Sequence, residues 1–276
     1  MDRELVKDEN ELPVPDFKVV VDTPGWRKVK PRIPDTPQRR RLERQRSIRE
    51  LVFGVQDGIL TTLGIVTGVG EAAGKHWFVI ISGLLGLISG ALSMGVGEYL
   101  GSKSEREVVR AAIDLERSEM EAHPEDEFAE QVAYYKLKGF SAEEAHTIVR
   151  RLAQNPEIYL YEMMRDEFGV DPRMAESASL RGPLAMAGSF TIGAALPIIP
   201  YLTPLNGRTT LITSLLLAIV GLFGIGFYAG RLSERNPWRK GLEIVMFGAA
   251  VFVLSWIAGR FIPPLFGHEP AGLMLG

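Results

Sequence analysis

Charged side chains are unevenly spaced along the chain, and the intervals between them define its architecture. Uncharged stretches run over 58–70, 76–97, 182–207, 209–230 and 244–259. About 20 residues span a hydrocarbon core as a helix. The first stretch reaches that length only by starting at Leu51 and including Asp57, and the last only by including Glu243. The pattern predicts an all-α, polytopic membrane protein with five transmembrane helices. Residues 103–181, between the second and third, read as a helical insert. No Gly or Pro lies between Gly101 and Pro124, so helix 2 is expected to run straight out of the membrane. A further helix fits "EDEFAEQVAYYKLK" and stops at Gly139. "SAEEAHTIVRRLAQ" opens with Ser141 and Glu144 three residues apart, a capping box, and "PEIYLYEMMRDEF" ends at Gly169. The chain thus divides into a polar tail expected to be disordered (1–47), helices 1 and 2 (48–102), the insert (103–181), helices 3 to 5 (182–262) and a C-terminal tail (263–276).

Basic residues near membrane ends are retained on the cytoplasmic side. Arg39, Arg40, Arg41, Arg44, Arg46 and Arg49 precede helix 1, and Arg231, Arg235, Arg239 and Lys240 lie between helices 4 and 5, whereas the turns after helices 1 and 3 carry only Lys75 and Arg208. The N-terminus and the insert are therefore expected in the cytoplasm. No cleavable signal peptide is visible, because Pro13, Pro15 and Pro24 break up a polar leader. The averages hide all this: 46% hydrophobic residues and a net charge of −3 would suit a soluble protein. Zero cysteines exclude disulfides and thiolate metal sites, leaving carboxylate, imidazole or thioether ligands.

Acid is concentrated in the insert, with 18 acidic against 11 basic residues. Glu116 pairs with Glu119 and Glu127 with Glu130, three apart and so on one helix face. Like charges at that spacing repel unless a cation sits between them, and a divalent ion with oxygen ligands would do so. Glu167 and the tandem Met163 and Met164 could add a carboxylate and a thioether from another helix. The competing reading is a solvated acidic face with the methionines in a core. His123 and His146 read as surface residues. In the membrane, Asp57 in "GVQDGI" costs on the order of 3 kcal/mol at bilayer depth, a cost that something must repay.

These features together resemble the vacuolar iron transporter family, which includes the yeast Ccc1-type vacuolar transporters and bacterial relatives. The resemblance rests on five helices, "GVQDGI" in helix 1, "GALSMGVGEYLGSKSE" in helix 2 and an acidic helical insert ending in "YEMMRDEFGV", and covers roughly residues 48 to 262. It implies a homodimer that moves ferrous iron, and manganese, out of the cytosol in exchange for protons. It implies a path between the protomers lined by Asp57 and Met94, and an insert that gathers Fe2+, with Mn2+ or Zn2+ as further ligands, through Glu116, Glu119, Glu127, Glu130, Met163 or Met164, and Glu167. One position departs: family members often carry a Glu about two turns before the "SMG" methionine, where Gly86 stands here, and Glu98 is the nearest substitute.

With that frame, Asp57 is repaid if it faces a hydrated path and is neutralised in turn by metal and proton. The thioether of Met94 would favour ferrous iron over Mg2+ or Ca2+. Gly54 and Gly58, Gly64 and Gly68, and Gly86 and Gly90 are each four apart, the spacing for close helix contact in membranes. The expected partners are divalent metal ions, protons, the lipid bilayer and a second copy of the chain, with no nucleic acid, no catalytic residue and no resident cofactor. The membrane is expected to be the cytoplasmic membrane of a bacterium, or a vacuole-type membrane in a eukaryote. The alternative is a membrane-anchored di-iron ferroxidase or storage protein built on the same glutamates. Di-iron bundles typically use a Glu-x-x-His pair on each of two helices, whereas the insert holds only one, Glu143 with His146, outside the acid pairs, and an anchor would not need Asp57.

Overall fold

The computed structural model describes residues 37–175, 179–204, 207–233 and 235–271. It is helical throughout: α1 (Pro37–Ala73), α2 (His76–Ala122), α3 (Pro124–Leu137), α4 (Ala142–Ala153), α5 (Pro156–Glu167), α6 (Arg181–Ile198), α7 (Gly207–Leu232) and α8 (Pro237–Leu265), with 3-10 turns at Pro172–Ala175 and Ile199–Leu202. No strand occurs among the described residues. Among the described residues five helices are long and apolar enough to cross a membrane: α1 from Glu50, α2, α6 with the turn that follows it, α7 and α8. The chain separates into two compact units, one comprising residues 102–178 and the other the membrane helices.

In the membrane unit α1 is the central element and packs against α6, α7 and α8, while α7 packs against α8. Ile59 and Leu63 of α1 meet Ala218 and Leu222 of α7 and Ile244 of α8 in one core, and Val66 meets Val79, Ile198 and Tyr201 in another. The predicted glycine spacing has a direct use at Gly58. A β carbon there would collide with the Phe190 carbonyl oxygen and lie 2.7 Å from the Ala194 nitrogen, so the backbones of α1 and α6 are in contact. The apolar stretch of α2 is the least covered span, 11% buried against 39% for α1 and 44% for α6.

The other unit folds around Met120, Phe128, Val132, Ala145, Val149, Ala153, Tyr159, Leu160, Met163 and Met164. Its helices start and stop where local chemistry dictates. Ser141 accepts from the Glu144 backbone N–H while the Glu144 side chain accepts from Ser141 N–H, completing the capping box. Asn155 caps α5 through the Ile158 N–H, with Pro156 in its first turn. Gly139 and Gly169 close α3 and α5 at φ of 99° and 64°, a left-handed conformation that other residues rarely adopt.

Two expectations are corrected. The tail was expected to be disordered as far as residue 47, but α1 begins at Pro37, so residues 37–47 are helical; residues 1–36 lie outside the described set. Their composition explains it, since Arg, Gln, Leu and Glu are good helix formers even without an apolar stripe. His146 is not a surface residue. It is 8% exposed, against the edge of the Phe128 ring at 5.1 Å, because position 146 falls on the side of α4 that carries Ala145 and Val149 into the core. His123 is exposed, as expected.

Candidate metal site and membrane carboxylate

Three helices bring five glutamates together. Glu116 and Glu119 come from α2, Glu127 and Glu130 from α3, and Glu167 from the last residue of α5. They differ in depth. Glu116 is 1% exposed and Glu127 8%, Glu130 is half-buried, and Glu119 and Glu167 are exposed. The arrangement is a buried acidic floor with an acidic rim. No hydrogen bond from a donor reaches either Glu116 oxygen, while the Glu127 carboxyl lies close enough to share a proton with it.

Burial and mutual repulsion act in one direction here. Burial, then the charges of Glu127, Glu167 and Glu119, push the Glu116 carboxyl up to about 8. Burial, then Glu130, push Glu127 up to about 7, and Glu167 is raised by burial and by Glu130 and Glu119. A carboxylate in a poorly solvated site beside other carboxylates stays protonated until something positive replaces the proton. The Tyr134 hydroxyl hydrogen-bonds with Glu130, and its own proton is held more tightly by burial and by Glu130 and Glu167. Buried Tyr159 donates to the Glu127 backbone carbonyl at 3.1 Å, which ties α5 to the start of α3.

The five carboxylates gather without closing on one point. Among the described residues no three His, Asp or Glu side chains stand as a ready-made metal cage. Met163 and Met164 are 2% and 0% exposed, packed in the apolar core of the unit. The two tyrosines were not singled out from the sequence. Tyr134, one helical turn beyond Glu130, carries a readable signal in its spacing, whereas Tyr159 reaches the site only through the packing of α5.

In the membrane unit Asp57 is half-buried on α1. Among the described residues it forms no ion pair or hydrogen bond. Met94 is likewise half-buried, on the sparsely covered α2. A second membrane acid emerges that charge spacing treats only as the end of a window. Glu71 is 1% exposed and faces Arg260 of α8, with 3.6 Å between Oε1 and Nη1. Glu98 and Glu50 place carboxylate oxygens 3.5 and 3.8 Å from where a β carbon on Gly182 would sit, at the start of α6.

Five apolar spans, a carboxylate within the first of them and a separate acidic unit define a polytopic helical membrane protein equipped to handle cations. The particular family follows from comparison: the VIT family model matches residues 48–260, and the chain belongs to that family. Vacuolar iron transporter 1 of Oryza sativa subsp. japonica is 30% identical over 205 residues, 73% of this chain and 80% of the relative. Vacuolar iron transporter 1 of Arabidopsis thaliana is 29% identical over 218 residues, 78% and 86% of the two chains. Protein CCC1 of Saccharomyces cerevisiae is 28% identical over 219 residues, 76% and 67%.

Proposed function

We propose that this protein moves divalent metal, ferrous iron first and manganese next, out of the cytosol in exchange for protons, and that the helical unit captures the ion on the cytoplasmic side. The observation that carries the reading is the state of Glu116: a carboxyl 1% exposed whose surroundings are other carboxyls, with no basic group beside it among the described residues. Such a cluster is costly unless protons or a cation neutralise it. The exposed glutamates at its rim give an ion a polar way in. Membership of a family whose named relatives are iron transporters supplies the cargo.

In this reading Glu119, Glu130 and Glu167 meet the hydrated ion, Glu116 and Glu127 exchange their shared proton for it, and Met163 or Met164 lends a thioether. The ion then passes Asp57 and Met94 in the membrane. Asp57 alternates between cation and proton, and the soft sulfur of Met94 favours Fe2+ over Mg2+. Homodimerisation fits the bare membrane face of α2, and the arginines ahead of α1 and between α7 and α8 favour a cytoplasmic N-terminus. The host membrane is the bacterial cytoplasmic membrane or, in a eukaryote, a vacuole-type one. No reaction on the metal is required, so the protein is read as a transporter and not a ferroxidase.

The test is anaerobic Fe2+ flux into proteoliposomes under an imposed pH gradient. Wild-type protein should carry iron, with rate rising as the gradient rises. Asp57→Asn, which keeps shape and removes the titratable charge, should reduce flux to the protein-free background while eluting at the wild-type position. Oxygen consumption without iron uptake would replace this reading with the ferroxidase.

A further inference from the structure

The seam between α1 and α8 holds an ion pair that the mechanism above does not use. Glu71 sits in the last turn of α1, almost fully buried, and faces Arg260. Small residues make the seam tight. A β carbon on Gly259 would collide with the Gly68 carbonyl oxygen and lie 3.0 Å from the Glu71 β carbon, and one on Gly68 would lie 3.3 Å from the Ser255 carbonyl. Two further polar groups are buried one helical turn from the pair. Thr67, one turn before Glu71, is 2% exposed and its hydroxyl has no partner among the described residues. The indole N–H of Trp256, one turn before Arg260, is buried in the same condition.

Helical geometry relates this seam to the path. At 3.6 residues per turn and 1.5 Å per residue, Asp57 and Glu71 lie about 40° apart around α1 and about 21 Å apart along it. Gly64 falls between them around the helix, and Gly68 and Thr61 lie about 20° and 40° to the other side of Asp57. Asp57 and Glu71 therefore mark two ends of one small and polar stripe that crosses most of the span. Stability alone is a weak reason for the pair, because an apolar pair of similar volume would serve as well in a poorly solvated seam. Ionisable residues buried in membrane helices commonly mark ion pathways.

We propose that Glu71 is a second carboxylate of the transport path, at the far end of the span from Asp57, and that it receives the cation by exchanging its Arg260 partner for it. Arg260 occupies the carboxylate when no cation is there, and the arriving ion displaces the guanidinium without any covalent step. This inference rests on the transport reading above.

The experiment compares full-length wild type, Glu71→Gln, Glu71→Asp and the exchanged pair Glu71→Arg with Arg260→Glu in proteoliposomes, using Fe2+ under anaerobic conditions. Glu71→Gln should lower the maximal rate about tenfold or more while leaving the half-saturating metal concentration unchanged, as for an interaction used after capture. The exchanged pair should recover the wild-type melting temperature in detergent and stay slow, because its carboxylate has left the face of α1. A wild-type rate in Glu71→Gln, or recovery of rate together with stability in the exchanged pair, would make the pair a structural tether and overturn the proposal. If Glu71→Gln does not purify, Glu71→Asp decides: a slow rate at wild-type stability supports the path, and a wild-type rate overturns it. A wild type that carries no metal would remove the transport reading itself, an outcome separate from all of these.

Discussion

A carboxyl held in a poorly solvated floor beside others binds its proton more tightly folded than unfolded, and for Glu116 and Glu127 that sets a pH dependence with a definite sign. Both stand above the ordinary glutamate value of 4.5, at about 8 and about 7. Over that interval the folded state holds more protons than the unfolded one, so metal-free stability is greatest below the unfolded value and is lost as pH rises through the folded ones. Each unit of upward displacement corresponds to about 1.4 kcal/mol, and the summed loss between about pH 5 and pH 8 is on the order of a few kcal/mol. The melting temperature of the metal-free unit, residues 102–178, should fall across that range, and Glu116→Gln should flatten the fall. Saturating Mn2+ should reverse it, since a ligand of the folded state stabilises by mass action. A flat metal-free profile would show that the floor is solvated. The acid pairs themselves were legible in the sequence, because a three-residue interval fixes a shared helix face. Their depths were not. Glu116 is buried and Glu119 exposed on that same face, a difference set by how α3 and α5 close over α2. Glu71 escaped for a related reason: an acid at the edge of an apolar stretch looks like a boundary until its partner on another helix is known.

At the scale of the element, punctuation was the most readable part of the chain. Gly139, Gly169, the Ser141–Glu144 box and Asn155-Pro156 each impose a local backbone or hydrogen-bond requirement that does not depend on the rest of the fold. The start of α1 was less readable, because an arginine-rich helix and an arginine-rich coil look alike without a packing face. Glycine spacing predicted close helix contact but not the partner, which turns out to be α6 for Gly54 and Gly58 and α8 for Gly64 and Gly68. Gly58→Ala tests that assignment. The new methyl would meet backbone atoms of Phe190 and Ala194, which cannot rotate away, and overpacking of this kind costs about 3 kcal/mol. The variant should melt well below wild type in detergent and shift toward aggregate on size exclusion. Wild-type melting would mean that α1 and α6 can separate at no cost.

For the whole molecule, the count of five spans and the position of the extra unit between the second and third were written in the charge spacing, and the helices are where that spacing put them. What lies against α2 could not be read, because an apolar stretch looks the same whether it faces lipid, its own chain or a second copy. Its membrane stretch, only 11% buried, leaves most of one helix for a neighbour. If that neighbour is a second copy and the two copies share one path, inheritance of a defect follows binomial mixing. Co-expression of wild-type and Asp57→Asn chains in equal amounts would leave about a quarter of the pairs fully intact in a two-fold assembly. Iron flux per intact chain would then drop to about half of its value without the defective allele, whereas independent paths would leave it unchanged. A single damaged copy would therefore act dominantly in a cell that still makes the normal protein.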